Sequence, residues 1–414
     1  GDLLVCSSLW DDDRGLNAGS VYVFERRGGA WVEQSKLLAS DGAANHNLGR
    51  SVSISGGRVI AGASGASIAG AGSGGAYVFE FADGVWTQAA RLSGSSAGPN
   101  DRQGWSVAID GAIAVVGAHR DDDRGTDSGA AYVFERDADG VWTQTAKLIG
   151  EDTSAGDEFG HAVALHAGTI LVGAHEADPF GADSGAAYVF GREQGVWVQQ
   201  AKLSVEETTS PGSHFGRAVA IHADRAVIGA PFEHPLNYGA AYVFERQESG
   251  WTLASKLLAD VRTAQEWFAS SVAIEGDRIV AGSFFNTGTE PGSVFVFDRR
   301  DGVWTLVGEA QASDGVNADG LGRAVALSGE SLVAGANQDD DRGSNAGSVY
   351  VFDSACAPAC AADLDDDGTL GFGDVLAFLV AFSEGLPEAD IIPDGRFDAV
   401  DVNAFLVLFS IGCP

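Results

Sequence analysis

A short phrase built around Tyr-Val-Phe recurs through most of this sequence and constrains the fold more than any other feature. One copy, residues 129–148, reads as two strands joined by a turn, with Trp142 opening the second strand. The closing Phe returns at spacings of 53 to 56 residues, at Phe24, Phe79, Phe134, Phe190, Phe244, Phe297 and Phe352. A period of this size indicates one supersecondary unit copied around a ring or along a stack.

Each complete unit carries four strand signals, A to D. Strand A follows a glycine (residues 160–165), strand B ends in Gly-Ala (residues 170–174), strand C is the Tyr-Val-Phe strand, and strand D runs from Trp to Lys-Leu. Four antiparallel strands joined by short turns form a propeller blade. Small apolar residues place strand A at the axis, where glycine permits close backbone approach. The polar alternation of strand D places it outermost, and its tryptophan is expected to pack between blades.

The number of strands gives the expected size of the ring. Strands B and C occur seven times and strands A and D six times, because the chain starts at a strand B (2–6) and leaves the repeat after a strand C (348–352). We therefore predict an all-β fold, a seven-bladed β-propeller of four-stranded blades over residues 1–353, with its N-terminal strand missing. An upstream segment of roughly 30 to 35 residues would supply the two strands that close the ring.

The net charge of the chain limits the classes of partner that it is expected to bind. Asp and Glu number 58 and Lys and Arg number 25, which gives a net charge of −33. Such a field repels nucleic acid, so we discount nucleic-acid binding. No apolar run of 18 residues occurs, so no membrane span is expected, and the propeller is expected to be monomeric. The acidic excess fits either solubility or carboxylates that hold Ca²⁺.

Strand direction places the B-to-C and D-to-A loops on one face, and these are the long, variable loops on which function tends to lie. Three B-to-C loops share the run Asp-Asp-Asp-Arg-Gly, which gathers hard oxygen donors suited to Ca²⁺. The alternative is structural, because Asp caps turns and the adjacent Arg neutralises it. The candidate ligands are Asp11, Asp13, Asn17, Asp121, Asp123, Asp127, Asp339, Asp341 and Asn345.

Catalytic signatures are sparse on this face. His119 and His175 follow the Gly-Ala of their blades, but Pro231 and Asn337 stand at the equivalent positions of two others, which disfavours a metal or catalytic role. No nucleophile elbow, metalloprotease His pair or phosphate loop appears. Acidic residues are too widespread to single out a carboxylate pair for glycoside hydrolysis. We therefore predict no catalytic residue.

The pattern changes after Phe352. A loop starting at Asp363 has carboxylates at positions 1, 3, 5 and 12 and glycine at position 6, the ligand order of an EF-hand calcium loop, and an apolar helix (375–382) follows. A second copy starts at Asp390, where Ile392 removes one ligand, so weaker binding is expected. The predicted metal ligands are Asp363, Asp365, Asp367, Thr369, Asp374, Asp390, Asp394, Asp398 and Asp401.

Three of the four cysteines, Cys356, Cys360 and Cys413, bracket this C-terminal segment. Their placement suits one disulfide clasp in an oxidising compartment. Zinc would need closer cysteine pairs or nearby histidine, and the segment has neither.

Two resemblances rest on these residues. The Phe-Gly and Gly-Ala pattern, as in Phe159-Gly160 and Gly173-Ala174, resembles the FG-GAP repeat of the integrin α-subunit propeller, over about residues 1–353. After a linker at 354–360, the tandem loops at 361–414 resemble a dockerin domain of the Gly-Cys-ending planctomycete type. That resemblance implies two Ca²⁺ ions, a docking partner such as cohesin, and a Cys360–Cys413 clasp, with two free thiols as the alternative.

Together these features predict a secreted or cell-surface binding and adhesion protein that is not an enzyme. We expect the propeller face to bind a protein or glycan ligand, and the tail to dock to a protein partner through Ca²⁺. Two alternatives stay open. One is a propeller glycoside hydrolase or lyase of a polysaccharide-degrading assembly, and the other is a structural component of a surface matrix.

Overall fold

A computed structural model describes residues 2–206, 211–233, 237–259, 267–284, 291–329, 331–343, 346–353, 372–384, 386, 389, 402 and 405–406. Its internal contacts divide the chain into two compact units, Gly1–Val351 and Phe352–Pro414. No helix among these residues is long and apolar enough to cross a membrane.

The strands form seven antiparallel sheets, and each sheet is one blade. Blade 1 is β1 (Leu3–Ser8), β2 (Ser20–Arg27) and β3 (Ala30–Leu37); blade 2 is β4 (Leu48–Ser55), β5 (Arg58–Ala63), β6 (Ala76–Ala82) and β7 (Val85–Leu92); blade 3 is β8 (Val107–Asp110), β9 (Ile113–Ala118), β10 (Ala130–Arg136) and β11 (Trp142–Leu148); blade 4 is β12 (Ala162–His166), β13 (Thr169–Ala174), β14 (Ala186–Glu193) and β15 (Val196–Leu203). Blade 5 is β16 (Ala218–His222), β17 (Arg225–Ala230), β18 (Ala240–Gln247) and β19 (Gly250–Leu257); blade 6 is β20 (Ser271–Glu275), β21 (Arg278–Ser283), β22 (Ser293–Arg300) and β23 (Val303–Ala310); blade 7 is β24 (Leu321–Ser328), β25 (Ser331–Ala336) and β26 (Ser348–Asp353).

The strand order in the five four-stranded sheets is A, B, C, D, as the repeat predicts, and the seven-bladed all-β propeller is confirmed. The A strands of neighbouring blades lie side by side around the axis. Strand B is the most buried strand of blade 4, because all six residues of β13 are buried, whereas β12 is only partly buried. In the described part of the chain, blades 1 and 7 have three strands each. The upstream closing segment stays a prediction.

The Phe-Gly pair, or the pair at its position in the repeat, joins each of blades 2 to 7 to the blade before it. Phe159 is fully buried, and its ring centroid lies 5.4 Å from that of Tyr188. The main chain of Phe159 also pairs with Gly129 of the preceding blade. A Cβ atom at Gly129 would lie 2.0 Å from the Phe159 carbonyl oxygen, so this position requires glycine. Equivalent bridges are Gly19–Leu48, Gly74–Gln103, Gly185–Phe215, Gly239–Phe268 and Gly292–Leu321.

The strand D tryptophans lie between blades, as expected. Trp86 Nε1 of blade 2 donates a hydrogen bond to Gln34 Oε1 of blade 1 at 2.7 Å. Trp142 of blade 3 packs against a core cluster that also contains Ile60 and Val78 of blade 2. These side chains therefore stabilise the ring by burying apolar area between sheets.

The second unit contains α1 (Phe372–Glu384), which covers the predicted tail helix. Phe378 and Phe405 stack with ring centroids 4.1 Å apart, and both are buried with Ala381 and Ala389. Asp374 lies in α1. The other predicted tail residues lie outside the described residues: Asp363, Asp365, Asp367, Thr369, Asp390, Asp394, Asp398, Asp401, Cys360 and Cys413. The dockerin-like domain therefore stays a prediction.

Candidate functional site

The Asp-Asp-Asp-Arg-Gly loop of blade 3 folds around the ammonium group of Lys147. Lys147 Nζ donates to Asp121 Oδ1 and Oδ2 at 2.8 and 2.7 Å and also contacts Asp123. The Tyr132 hydroxyl donates to Asp121 Oδ2 at 2.7 Å, and Asp121 is 1% exposed. Burial lowers the pKa of Lys147, but its hydrogen bonds to the two carboxylates outweigh burial and raise that pKa well above the usual range. The cluster therefore stays an ion pair.

The same arrangement recurs in other blades, where the Tyr of strand C and the Lys of strand D hold a carboxylate. The sets are Asp11, Tyr22 and Lys36 in blade 1, Asp152, Tyr188 and Lys202 in blade 4, and Glu233, Tyr242 and Lys256 in blade 5. In blade 7 the Tyr350 hydroxyl donates to Asp339 Oδ2 at 2.9 Å. These contacts give the first aspartate of each Asp-Asp-Asp-Arg-Gly loop (Asp11, Asp121 and Asp339) a structural role.

The remaining predicted loop ligands shape the turn. Asn17 and Asp127 adopt left-handed φ values of 55° and 54°, and their main-chain N–H groups donate to Asp12 and Asp122 at 2.7 and 2.8 Å. Lys36 also pairs with Asp13 at 2.7 Å. The main-chain N–H of Asp341 donates to Asp339 at 3.1 Å, while Asn345 lies outside the described residues. Calcium binding by these loops stays a prediction.

A second group of side chains lies where the A strands begin and the B strands end. Most of its members come from two positions of the repeat, directly after Phe-Gly or its equivalent and directly after Gly-Ala or its equivalent. We name this group the axial arc and define it as Arg50, Trp105, His119, His161, His175, His214, Arg217, Phe232, Trp267, Phe284 and Arg323.

The members of the axial arc contact one another from blade 2 to blade 7. Arg50 Cζ lies 3.7 Å from the Trp105 ring centroid, and the Trp105 and His119 ring centroids are 4.4 Å apart. Further centroid distances are 5.9 Å for His119–His161, 4.0 Å for His161–His175, 5.3 Å for His175–His214, 5.0 Å for His214–Phe232, 4.9 Å for Phe232–Trp267 and 5.7 Å for Trp267–Phe284. Arg323 Cζ lies 4.5 Å from the Phe284 centroid and ends the series.

Arginines give this part of an acidic chain a positive charge. Arg50, Arg217 and Arg323 form no salt bridge with any residue that the structure describes. Burial, followed by repulsion from Arg323 and Arg217, lowers the pKa of Arg50 to about 10, so it is still charged at neutral pH. Guanidinium groups bind carboxylates and phosphates through paired hydrogen bonds. The axial arc therefore offers donors for an anion.

A cavity of about 300 Å³ opens beside Arg50. Its lining residues are Leu9, Asn47, Arg50, Ser64, Arg102, Trp105, His119 and Arg120. The lining thus contains three arginines and no carboxylate, although the whole chain carries a net charge of −33. Arg120 Nε lies 4.0 Å from Asp127 Oδ1, and Asp127 is not one of the lining residues. The cavity lining is therefore positively charged in a chain that is acidic as a whole.

The histidines of the axial arc are neutral at physiological pH. Burial, then repulsion from Arg120, lowers the pKa of His119 to about 3, and burial lowers the pKa of His161 and His175 well below the usual range. The Nδ1 atoms of His119, His161, His175 and His214 are buried without a hydrogen-bond partner among the described residues. Burial, then Glu176, raises the pKa of Glu158 to about 7.

His119 and His175 stand out in the sequence but receive no role from it, and the rest of the axial arc is not evident there. Their ring neighbours lie on another strand of the same blade, as Trp105 and His161 do, or on other blades, and they form no contiguous motif. A signal was present, because the residue after Phe-Gly or its equivalent is charged, aromatic or imidazole in blades 2 to 5 and 7, at Arg50, Trp105, His161, Arg217 and Arg323. An inner β-strand at a crowded axis would otherwise favour small apolar residues there.

Comparison with solved structures supports the fold. The chain is similar to the crystal structure of a protein from Lactobacillus plantarum, with a TM-score of 0.57 and 13% sequence identity over 86% of this chain and 93% of the other. A likeness at this identity shows the fold alone. No curated protein matches the chain.

Comparison with family models identifies the repeat. The model described as FG-GAP repeat matches six segments, residues 31–79, 86–134, 142–190, 197–244, 251–297 and 304–352. Each segment starts at a strand D and ends at the strand C of the next blade, so it spans the joint that the Phe-Gly pair makes. The segments together cover more than half of the sequence. The chain therefore belongs to the FG-GAP repeat family.

Proposed function

We propose that this protein is a secreted or cell-surface binding protein, not an enzyme, whose propeller recognises the carboxylate groups of an acidic glycan. The observation that carries the proposal is the cavity beside Arg50, which is lined by three arginines and no carboxylate. Its volume of about 300 Å³ lies at the small end of the range for ligand sites. It fits one sugar unit or one acidic group of a longer chain.

The aromatic rings of the axial arc favour a glycan over an acidic peptide. Trp105 lines the cavity, and Phe232, Trp267 and Phe284 continue the axial arc between Arg217 and Arg323. Flat apolar ring faces beside guanidinium groups match a sugar ring that carries a carboxylate, because the ring can pack on the aromatic face while the carboxylate accepts hydrogen bonds.

Titration calorimetry of the full chain with oligogalacturonate tests this proposal. We expect the wild type to bind and to bind more weakly as salt is added, because salt screens charge pairs. Replacing Arg50 and Arg102 together by Gln should weaken binding by at least about tenfold, since hydrogen bonds to charged groups contribute about 1.5–3 kcal/mol each.

Arg27→Gln is the matched control, because Arg27 is an exposed arginine of β2 whose side chain is 60% exposed and pairs with Glu25. This variant should bind like the wild type. Binding of polyglutamate in preference to the oligosaccharide would reassign the cavity to an acidic protein partner. Failure of both ligands to bind would contradict carboxylate recognition altogether.

For the tail, we propose Ca²⁺-dependent docking to a protein partner. A module of about 50 residues cannot bury a large core and should depend on its ion. Treatment with EDTA should therefore abolish the helical circular dichroism signal of the tail and leave the β signal of the propeller. An unchanged helical signal after exhaustive chelation would argue against bound Ca²⁺.

One observation favours the enzyme alternative. Glu158 and Glu176 flank His175, with carboxylate oxygens 3.8 and 3.6 Å from His175 Nε2, so two carboxylates lie together in the axial region. Glycoside hydrolases use such a pair. Release of reducing ends from the same oligosaccharides, lost in Glu158→Gln, would replace the binding proposal by an enzymatic one.

A further inference from the structure

We propose that Glu158, His161 and His175 bind one transition-metal ion at the axial end of blade 4. The donor atoms of these three side chains all lie within 4.8 Å of one another. A second group in the described residues, His175, Glu176 and His214, meets the same condition and shares His175. Because the two groups share His175, we assign one ion, to the first group.

The main chain holds the three ligands in place without an ion. The N–H of His161 donates to the Glu158 carbonyl at 3.1 Å and closes a turn around Phe159, which is fully buried. The N–H of Gly160 donates to the Gly173 carbonyl at 3.0 Å and ties this turn to the end of β13, where His175 follows. The ligands are therefore positioned by the Phe-Gly and Gly-Ala pairs themselves.

The imidazoles of this site have the form that a metal ion needs. Both are neutral, so each has a ring nitrogen with a free lone pair. The His175 side chain is 3% exposed, and its Nδ1 has no hydrogen-bond partner among the described residues. The Nδ1 atom of His161 is likewise buried without a hydrogen-bond partner among those residues.

The first group fits an ion better than the second. The rings of His161 and His175 have centroids 4.0 Å apart, compared with 5.3 Å for His175 and His214. The Glu158 side chain is 16% exposed and the Glu176 side chain 38% exposed, so Glu158 interacts with a cation in a less solvated setting. The Glu176 carboxylate lies 3.6 Å from His175 Nε2, close enough to offset part of the positive charge of an ion bound there.

The donor set selects the class of metal. Two imidazole nitrogens and one carboxylate oxygen suit Zn²⁺ and its neighbours in the first transition row, whereas Ca²⁺ takes oxygen ligands alone. Zn²⁺ holds such donors at about 2.0–2.2 Å, so small side-chain rotations close the site. Three protein ligands leave a coordination position open for water or for a donor atom of a bound molecule.

Metal binding by the full chain tests the proposal. After removal of metal with a chelator, equilibrium dialysis with ZnCl₂ should show one more tightly bound Zn²⁺ in the wild type than in His175→Gln. His161→Gln should raise the dissociation constant of that Zn²⁺ ion by at least about tenfold, a loss typical of disturbed metal sites. Co²⁺ bound at the same site should give visible absorption bands that His175→Gln lacks.

His119→Gln is the matched control, because His119 is also buried in the axial arc but belongs to neither group. It should bind Zn²⁺ like the wild type, and thermal unfolding should confirm that all variants are folded. Equal Zn²⁺ binding by the wild type and His175→Gln would overturn the proposal. Loss in His214→Gln with no loss in His161→Gln would overturn the choice of ligands.

Discussion

Replacing Gly173 by alanine is expected to destabilise the propeller by about 3 kcal/mol or more, the upper end of the usual cost of overpacking. A Cβ atom at this position would lie 1.9 Å from the carbonyl oxygen of Gly216 in the next blade. That oxygen belongs to the main chain, so no side-chain rotation relieves the overlap. Urea unfolding followed by circular dichroism measures the effect as a lower midpoint.

Gly57→Ala is the control for this prediction. Gly57 has no positive φ, and the nearest atom to a Cβ there would be the Phe81 Cβ at 3.7 Å, an ordinary van der Waals distance. This variant should therefore unfold close to the wild-type midpoint. A similar loss at both positions would show that the cost of alanine does not come from the contact between blades, and would refute the prediction.

Replacing Asp121 by alanine should cost about 3–5 kcal/mol, because it removes one partner of a buried ion pair. The side chains of Asp121 and Lys147 are 2% and 16% exposed. Without Asp121, the Lys147 ammonium keeps the exposed Asp123 carboxylate and the Ser96 hydroxyl, and the buried Tyr132 hydroxyl loses an acceptor. Urea or thermal unfolding of the full chain measures the loss.

Asp152→Ala provides the comparison, since Asp152 holds the equivalent Tyr188 and Lys202 of blade 4 with its own side chain 54% exposed. Exposed ion pairs contribute about 0–1 kcal/mol, so this variant should lose little stability. Both substitutions remove one negative charge, which cancels any general effect of net charge. Equal losses would mean that burial does not decide the strength of these clusters.

The repeated contacts of this protein could be predicted from its sequence. Glycine before the final alanine of strand B predicts close backbone approach, and Gly173 shows it against Gly216. The tryptophan of strand D predicts packing between blades, as Trp86 shows. Because such contacts are alike in every blade, the residues that make them recur in the sequence with the period of the repeat. The Tyr–Lys–carboxylate cluster was present in the same phrase, but the partner of Tyr132 and Lys147 could be identified only from their distances to Asp121.

The axial arc forms only in the tertiary structure. His161 and His214 are 53 positions apart in the chain, and His119 and His161 are 42 apart. Their side chains meet only because the ring places the same end of every inner strand around one axis. The residues there differ from blade to blade, so their recurring position marks them in the sequence without showing which side chains meet. The sequence by itself determined the blades and their joints, because those contacts repeat. The unlike histidines, arginines and aromatic rings became one site through closure of the fold, which brings together positions that no local rule connects.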